Sequence, residues 1–87
     1  MAAESQEARL KRMQLRSMRR GIKEMDLILG AFARDRLGSL SEPELLLYDA
    51  LLSENDQDLY SWVTGREPAP QRFSSMMSMI SEHAMAK

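Results

Sequence analysis

The sequence predicts an all-α fold, a compact five-helix bundle in a single small domain spanning residues 1–87. Apolar residues recur at helical spacing in successive stretches, and no stretch alternates at period two as a half-buried strand would. Helix starts and stops bracket those stretches: Ser41-Glu42-Pro43-Glu44 and Asn55-Asp56 open helices, and Gly38 and Gly65 close them. The connections left over are only a few residues long, which favours neighbouring helices packed into a bundle. A chain of 87 residues, 44% of them hydrophobic, suffices for one economical core.

The first helix is expected from about Ser5 to Arg19. Leu10, Met13 and Met18 are sparse apolar positions among Arg9, Lys11, Arg12, Arg16 and Arg19. It should therefore dock by one edge and fray, with its basic face in solvent. The second is expected from about Gly21 to Arg36. On it Ile22, Met25, Ile28, Leu29, Phe32 and Ala33 share one side, while Arg20, Glu24, Leu27 and Ala31 form a stripe roughly opposite. Gly30 falls between the two faces, where it would permit a close helix crossing.

Ser41-Glu42-Pro43-Glu44 is a capping box with proline in the first turn, so a third helix is expected over Glu44 to Leu52 or Ser53. Leu45, Tyr48, Leu51 and Leu52 lie on one side of it and mark the centre of the core. Asn55 or Asp56 caps a short fourth helix reaching about Thr64, in which Leu59, Trp62 and Val63 have core spacing. Trp62 could also anchor a partner, but in so small a core burial is its expected use. After the stiff turn Arg66-Glu67-Pro68-Ala69-Pro70, a last helix is expected from about Pro70 to His83, closing the bundle with Phe73, Met76, Met77, Ile80 and Ala84. The ends, about residues 1–6 and 84–87, are expected to be loose.

The net charge of −1 conceals a segregation. Residues 1–40 carry nine Lys/Arg against five Asp/Glu, and residues 41–67 carry one against seven. Such a dipolar domain suits a protein partner of patterned charge better than nucleic acid, which the acidic block would repel. With no cysteine and one histidine, disulfides, thiolate chemistry and Cys- or His-based metal sites are excluded. No apolar run is long enough to span a bilayer. The first residues lack an apolar signal core and a convincing transit pattern, so the expected location is a bacterial cytoplasm, with the mitochondrial matrix fitting less well. There is no Ser/His/Asp set, no glycine-rich phosphate loop and no carboxylate pair beyond Asp56 and Asp58, which helix capping explains; a non-enzymatic protein is expected.

One stretch resists a purely structural reading. Arg20-Gly21-Ile22-Lys23-Glu24 places a glycine inside an apparent helix, at a cost of about 1 kcal/mol relative to alanine, between charges in the less favourable order for an i, i+4 pair. A solvated surface ion pair worth about 0.3–0.5 kcal/mol is one account of it. A surface where another backbone approaches closely is the other.

These residues, followed by Met25-Asp26, resemble the RGxxE signature of the succinate dehydrogenase assembly factor family, small proteins that promote covalent FAD attachment to the flavoprotein subunit of that enzyme. Leu40-Ser41-Glu42-Pro43-Glu44 resembles the family's capped third helix, and the segment from Asp56 to Gly65 resembles its D-x-D-L-[YF]-x-W run. The likeness covers about Arg9 to His83 and departs at Met25, where leucine is commoner. It implies a monomeric helper that binds the flavoprotein of succinate dehydrogenase, and of the related fumarate reductase. Such a helper holds no cofactor stably and acts on FAD held by the partner, without nucleic acid or membrane. It also implies that Arg20 is a charged clamp, Gly21 a point of close backbone approach and Glu24 a carboxylate reaching toward the partner's active-site groups. Arg19 and Leu27 would complete that surface, and Asp26 would serve a structural ion pair. Two other readings compete: a nucleic-acid or ribosome-associated factor using Arg9, Lys11, Arg12 and Arg16, and an antitoxin-like regulator of a protein target.

Overall fold

The apolar stripes converge on one core. In the computed structural model, which describes residues 4–86, the chain forms α1 (Gln6–Met18), α2 (Lys23–Arg36), α3 (Glu42–Leu51), α4 (Asp56–Val63) and α5 (Ser74–Met85). Single 3-10 turns lie at Leu37–Ser39 and Gln71–Phe73. Among the described residues there is no strand. Met25, Leu29, Phe32 and Ala33 of α2 meet Leu45, Tyr48 and Leu51 of α3, Leu59 of α4, and Met76, Met77 and Ile80 of α5. Ile22 and Ile28 sit at the rim. Trp62 is only half-buried and packs against the core by stacking on Phe73, with ring centroids 6.1 Å apart.

Sequence chemistry sets most of the ends. Ser41 forms the expected capping box with Glu44, and Pro43 is tolerated because the first-turn N–H it lacks has no helical partner to lose. The helix thus begins at Glu42, two residues earlier than Pro43 led us to expect. Asn55, not Asp56, caps α4 by accepting the Gln57 N–H at 2.8 Å. Gly65 ends α4 with φ +79°, a conformation that glycine alone adopts without strain. Residues 70–73 form a cap and a 3-10 turn, so α5 starts at Ser74 and runs on to Met85. Of the ends expected to be loose, residues 1–3 and 87 lie outside the described residues. Glu4 pairs with Arg12, and Ser5 caps α1 by accepting the Ala8 N–H.

α1 departs most from expectation. Met13 and Ser17 are fully buried, so the helix is integral to the core. Three of its cations are also paired with α3 where free solvation was expected. Arg9 chelates Glu42 with both contacts at 2.8 Å, Arg12 holds both oxygens of Asp49 at 3.0 Å, and Arg16 reaches the Leu52 carbonyl at 3.1 Å. These positions recur at helical spacing, so they form one row along α3, and the basic and acidic blocks of the sequence meet inside the domain. α3 has no basic residue in its own last turn; Arg16 brings it a cation, which its C-terminal dipole favours. Arg12 holds the Asp49 carboxyl below the usual carboxylate range, the effect of their hydrogen bonds outweighing partial burial. The stability this lends is present above the ordinary carboxylate pKa and is lost as pH falls through the lowered value.

Ser17 and Tyr48 join α1 to α3 across the core. The Ser17 hydroxyl donates to the Met13 carbonyl at 2.8 Å, so its one proton is committed and Tyr48 donates to it at 2.6 Å. Burial is the chief cause that pushes the Tyr48 hydroxyl from 10.0 up to about 12. Above pH 10 the unfolded chain loses this proton while the folded chain keeps it. Stability should therefore fall by about 2 kcal/mol as pH rises from 10 to 12. Tyr48→Phe should flatten that fall, and urea titrations across the range would measure it; an unchanged alkaline slope would show that Tyr48 is not its source.

Candidate functional site

The RGxxE stretch is not helical throughout. Arg19 is the last cap of α1, Ile22 is extended at φ −121° and ψ 128°, and α2 begins only at Lys23. The expected start at Gly21 is thus corrected by two residues, and the reason lies in where the backbone N–H groups go. The Arg20 N–H donates to the Asp26 carboxylate, and the Gly21 N–H donates to Asp56 Oδ2 at 2.7 Å. Both bonds hold the chain in a tight corner in place of a continuous helix. Asp26 therefore ties down backbone where an ion pair was expected.

Arg20 turns inward, and its side chain is only 9% exposed. Its Nε donates to Asp56 Oδ1 at 2.6 Å, and its other nitrogens donate to the carbonyls of Leu52 at 2.7 Å and Glu54 at 3.0 Å. The guanidinium fork thus closes the end of α3 and the start of α4 against the α1–α2 corner. A clamp it is, but one on its own chain. The i, i+4 pair with Glu24 does not form, because Arg20 lies outside the helix that carries Glu24.

Gly21 likewise approaches its own chain closely. A Cβ added there would lie 3.2 Å from Asp56 Oδ2, a carboxylate that Arg20 holds in place. Alanine normally stabilises such a non-helical position where its backbone angles allow. Here Gly21→Ala should instead lower the melting temperature by a few degrees, about 1 kcal/mol. A rise in thermal unfolding temperature would show that Asp56 can give way.

Glu24 is exposed in the first turn of α2, where the helix dipole favours a carboxylate. Among the described residues it has no ion-pair partner, and neither do Arg19 and Lys23 beside it. Leu27, one turn on, is 63% exposed. It stands between two shallow grooves. One runs along α1 past Met18, Gly30 and Arg34; the other lies against His83 and Ala84 of α5. Gly30 makes the first possible, since a Cβ there would sit 3.3 Å from Met18 Cγ. His83 is fixed by a 2.8 Å contact with Asp35 and by its edge against Phe32.

Arg19, Glu24 and Leu27 thus share an open face, while Arg20 and Gly21 build the corner that presents it. Asp56 is the residue sequence reasoning missed. It was assigned to capping, yet Asn55 alone meets that need, which leaves a carboxylate free for the inward arginine. Among the described residues no three His, Asp or Glu side chains gather as a metal ion would need, and no helix is long and apolar enough to cross a membrane.

Fold and face define a small helical module that offers a shallow, partly apolar surface. The chain belongs to the Sdh5 family, described as "Flavinator of succinate dehydrogenase", whose family model matches residues 11–84. It is similar to proteins named succinate dehydrogenase assembly factor 2, mitochondrial. That of Meyerozyma guilliermondii is 40% identical over 86 residues, covering 93% of this chain and 64% of the relative. Those of Danio rerio and Schizosaccharomyces pombe are 36% and 39% identical, covering 93% and 83% of this chain and 53% and 52% of the relatives. The chain therefore spans roughly half to two thirds of the length of these relatives. Their names correct the location expected from the sequence. They point to mitochondria, not to a bacterial cytoplasm, so the composition of the first residues was no guide to compartment.

Proposed function

We propose that this chain binds the flavoprotein subunit of succinate dehydrogenase, and of the related fumarate reductase, and promotes covalent attachment of FAD there without catalysing the bond formation itself. The observation that carries the reading is the division of labour within RGxxE. Arg20 and Gly21 are committed to Asp56, and this leaves Glu24 held on a rigid corner, exposed and, among the described residues, without a partner. A carboxylate kept free on a fixed helix start is suited to a protein whose surface completes it. Arg19 and Leu27 flank it as charge and apolar contact.

The chain's contribution is conformational selection. It favours the arrangement of the flavoprotein in which histidine and flavin are aligned, and its effect is limited by its preference for that arrangement over others. No cofactor is held by the chain, which acts as a monomer. The nucleic-acid alternative loses most of its support, because three of the four cations it relies on, Arg9, Arg12 and Arg16, are engaged with α3.

The test is in-gel fluorescence of covalently bound flavin on the denatured flavoprotein subunit, with and without this chain. Faster or more complete attachment is expected with it. An identical time course in both lanes would overturn the proposal.

A further inference from the structure

Five large apolar side chains are exposed among the described residues: Leu15, Met18, Leu27, Leu46 and Met85. Three of them lie on α1 and α2. Leu15 and Met18, 42% and 51% exposed, are an i, i+3 pair on the outer ridge of α1, and Met18 lines the same groove as Leu27 of α2. Isolated exposed leucines mean little, but Leu15 lines a second shallow groove with Arg12, Arg16, Arg19 and Arg20, so apolar side chains open onto grooves on both flanks of this ridge.

The charges around that line are as selective. The cations of α1 divide by face: Arg9, Arg12 and Arg16 turn toward α3 and are paired, as is Arg20 just beyond the helix end. Lys11 and Arg19 stand four residues to either side of Leu15, both exposed and, among the described residues, in no ion pair. Lys23, at the start of α2, is likewise exposed and, among the described residues, in no ion pair, and Glu24 follows it in the first turn.

We infer that the outer ridge of α1, Lys11, Leu15 and Met18, extends the docking face beyond Arg19 and Leu27 and seats an acidic segment of the flavoprotein subunit with an apolar centre. This rests on the proposed function. The occupant follows from complementarity: a row of unpaired cations around an apolar centre is matched by a segment that carries carboxylates around its own apolar residues. Glu24 lies at one end of the footprint, so the ridge supplies affinity and register while Glu24 meets the reacting region.

The experiment compares wild type, Glu24→Ala and the double variant Lys11→Glu/Leu15→Ser for binding to the isolated flavoprotein subunit, at low and high salt, with circular dichroism melting as the folding control. The double variant should melt like wild type, since both side chains are exposed. It should bind about tenfold more weakly at low salt, with a shallower salt dependence. Its flavin attachment should recover when it is supplied in excess. Wild-type affinity in the double variant, with attachment still lost in Glu24→Ala, would overturn the ridge and leave the function standing. No binding by wild type would overturn both. If the double variant keeps flavoprotein affinity but loses binding of wild type to phosphatidylserine vesicles, the ridge faces lipid and the inference is wrong.

Discussion

Asp56→Ala is expected to lower the melting temperature by about 10–20 °C. Two groups depend on that carboxylate. Arg20, with its side chain 9% exposed, would keep its charge and lose the one anion it pairs with among the described residues, and the Gly21 N–H would lose its acceptor at 2.7 Å. Breaking a buried pair from one side costs about 3–5 kcal/mol; the Asp56 side chain is 19% exposed, so water can enter and the lower end, about 3 kcal/mol, is expected. Asp56→Asn should fall between, because it keeps a neutral acceptor and gives up the charge. Asp58→Ala is the control. It too lies in the first turn of α4 but is exposed, so it should cost under about 1 kcal/mol. If Asp56→Ala melts no lower than Asp58→Ala, the Arg20–Asp56 contact does not hold the corner together.

That contact also marks where the sequence stopped being legible. Helix periodicity and capping are local, so the stripes of α2, α3 and α5 and the box at Ser41 could be read off a few adjacent residues each. The match of Arg20 to Asp56, 36 residues away, has no periodic signature and depends on how two corners meet. The same is true of Arg9, Arg12 and Arg16 against α3. Their spacing along one face was visible, but whether that face met solvent or an acidic helix was not, and composition favoured solvent. Ser17 escaped because a lone serine in a polar helix is ordinary until a tyrosine on α3 is placed beside it. Glu24 and Leu27 were placed on the non-core face by periodicity alone, and exposed they are. Arg20 was grouped with them by extending the helix two residues too far, an error of boundary that became an error of role.

The two charged ends of RGxxE should therefore respond differently to mutation, and Glu24→Ala is the sharper case. Among the described residues the side chain has no hydrogen-bond or ion-pair partner, so its loss should change stability by under about 1 kcal/mol, the small remainder being its favourable place in the first turn of α2. Flavin attachment should nonetheless fall at least about tenfold, the cost of leaving one charged hydrogen bond unmade at the partner's surface. Glu24→Gln separates charge from reach. If the carboxylate's charge matters, Gln should fail as Ala does; if Glu24 only orders a neighbouring loop by hydrogen bonding, Gln should restore much of the rate. The readouts are thermal melting for the chain alone and covalent flavin fluorescence with the flavoprotein present. Wild-type melting with lost attachment would place Glu24 at the partner's surface. Wild-type attachment by Glu24→Ala would remove it from the docking face and leave RGxxE as a folding corner whose exposed glutamate has no task.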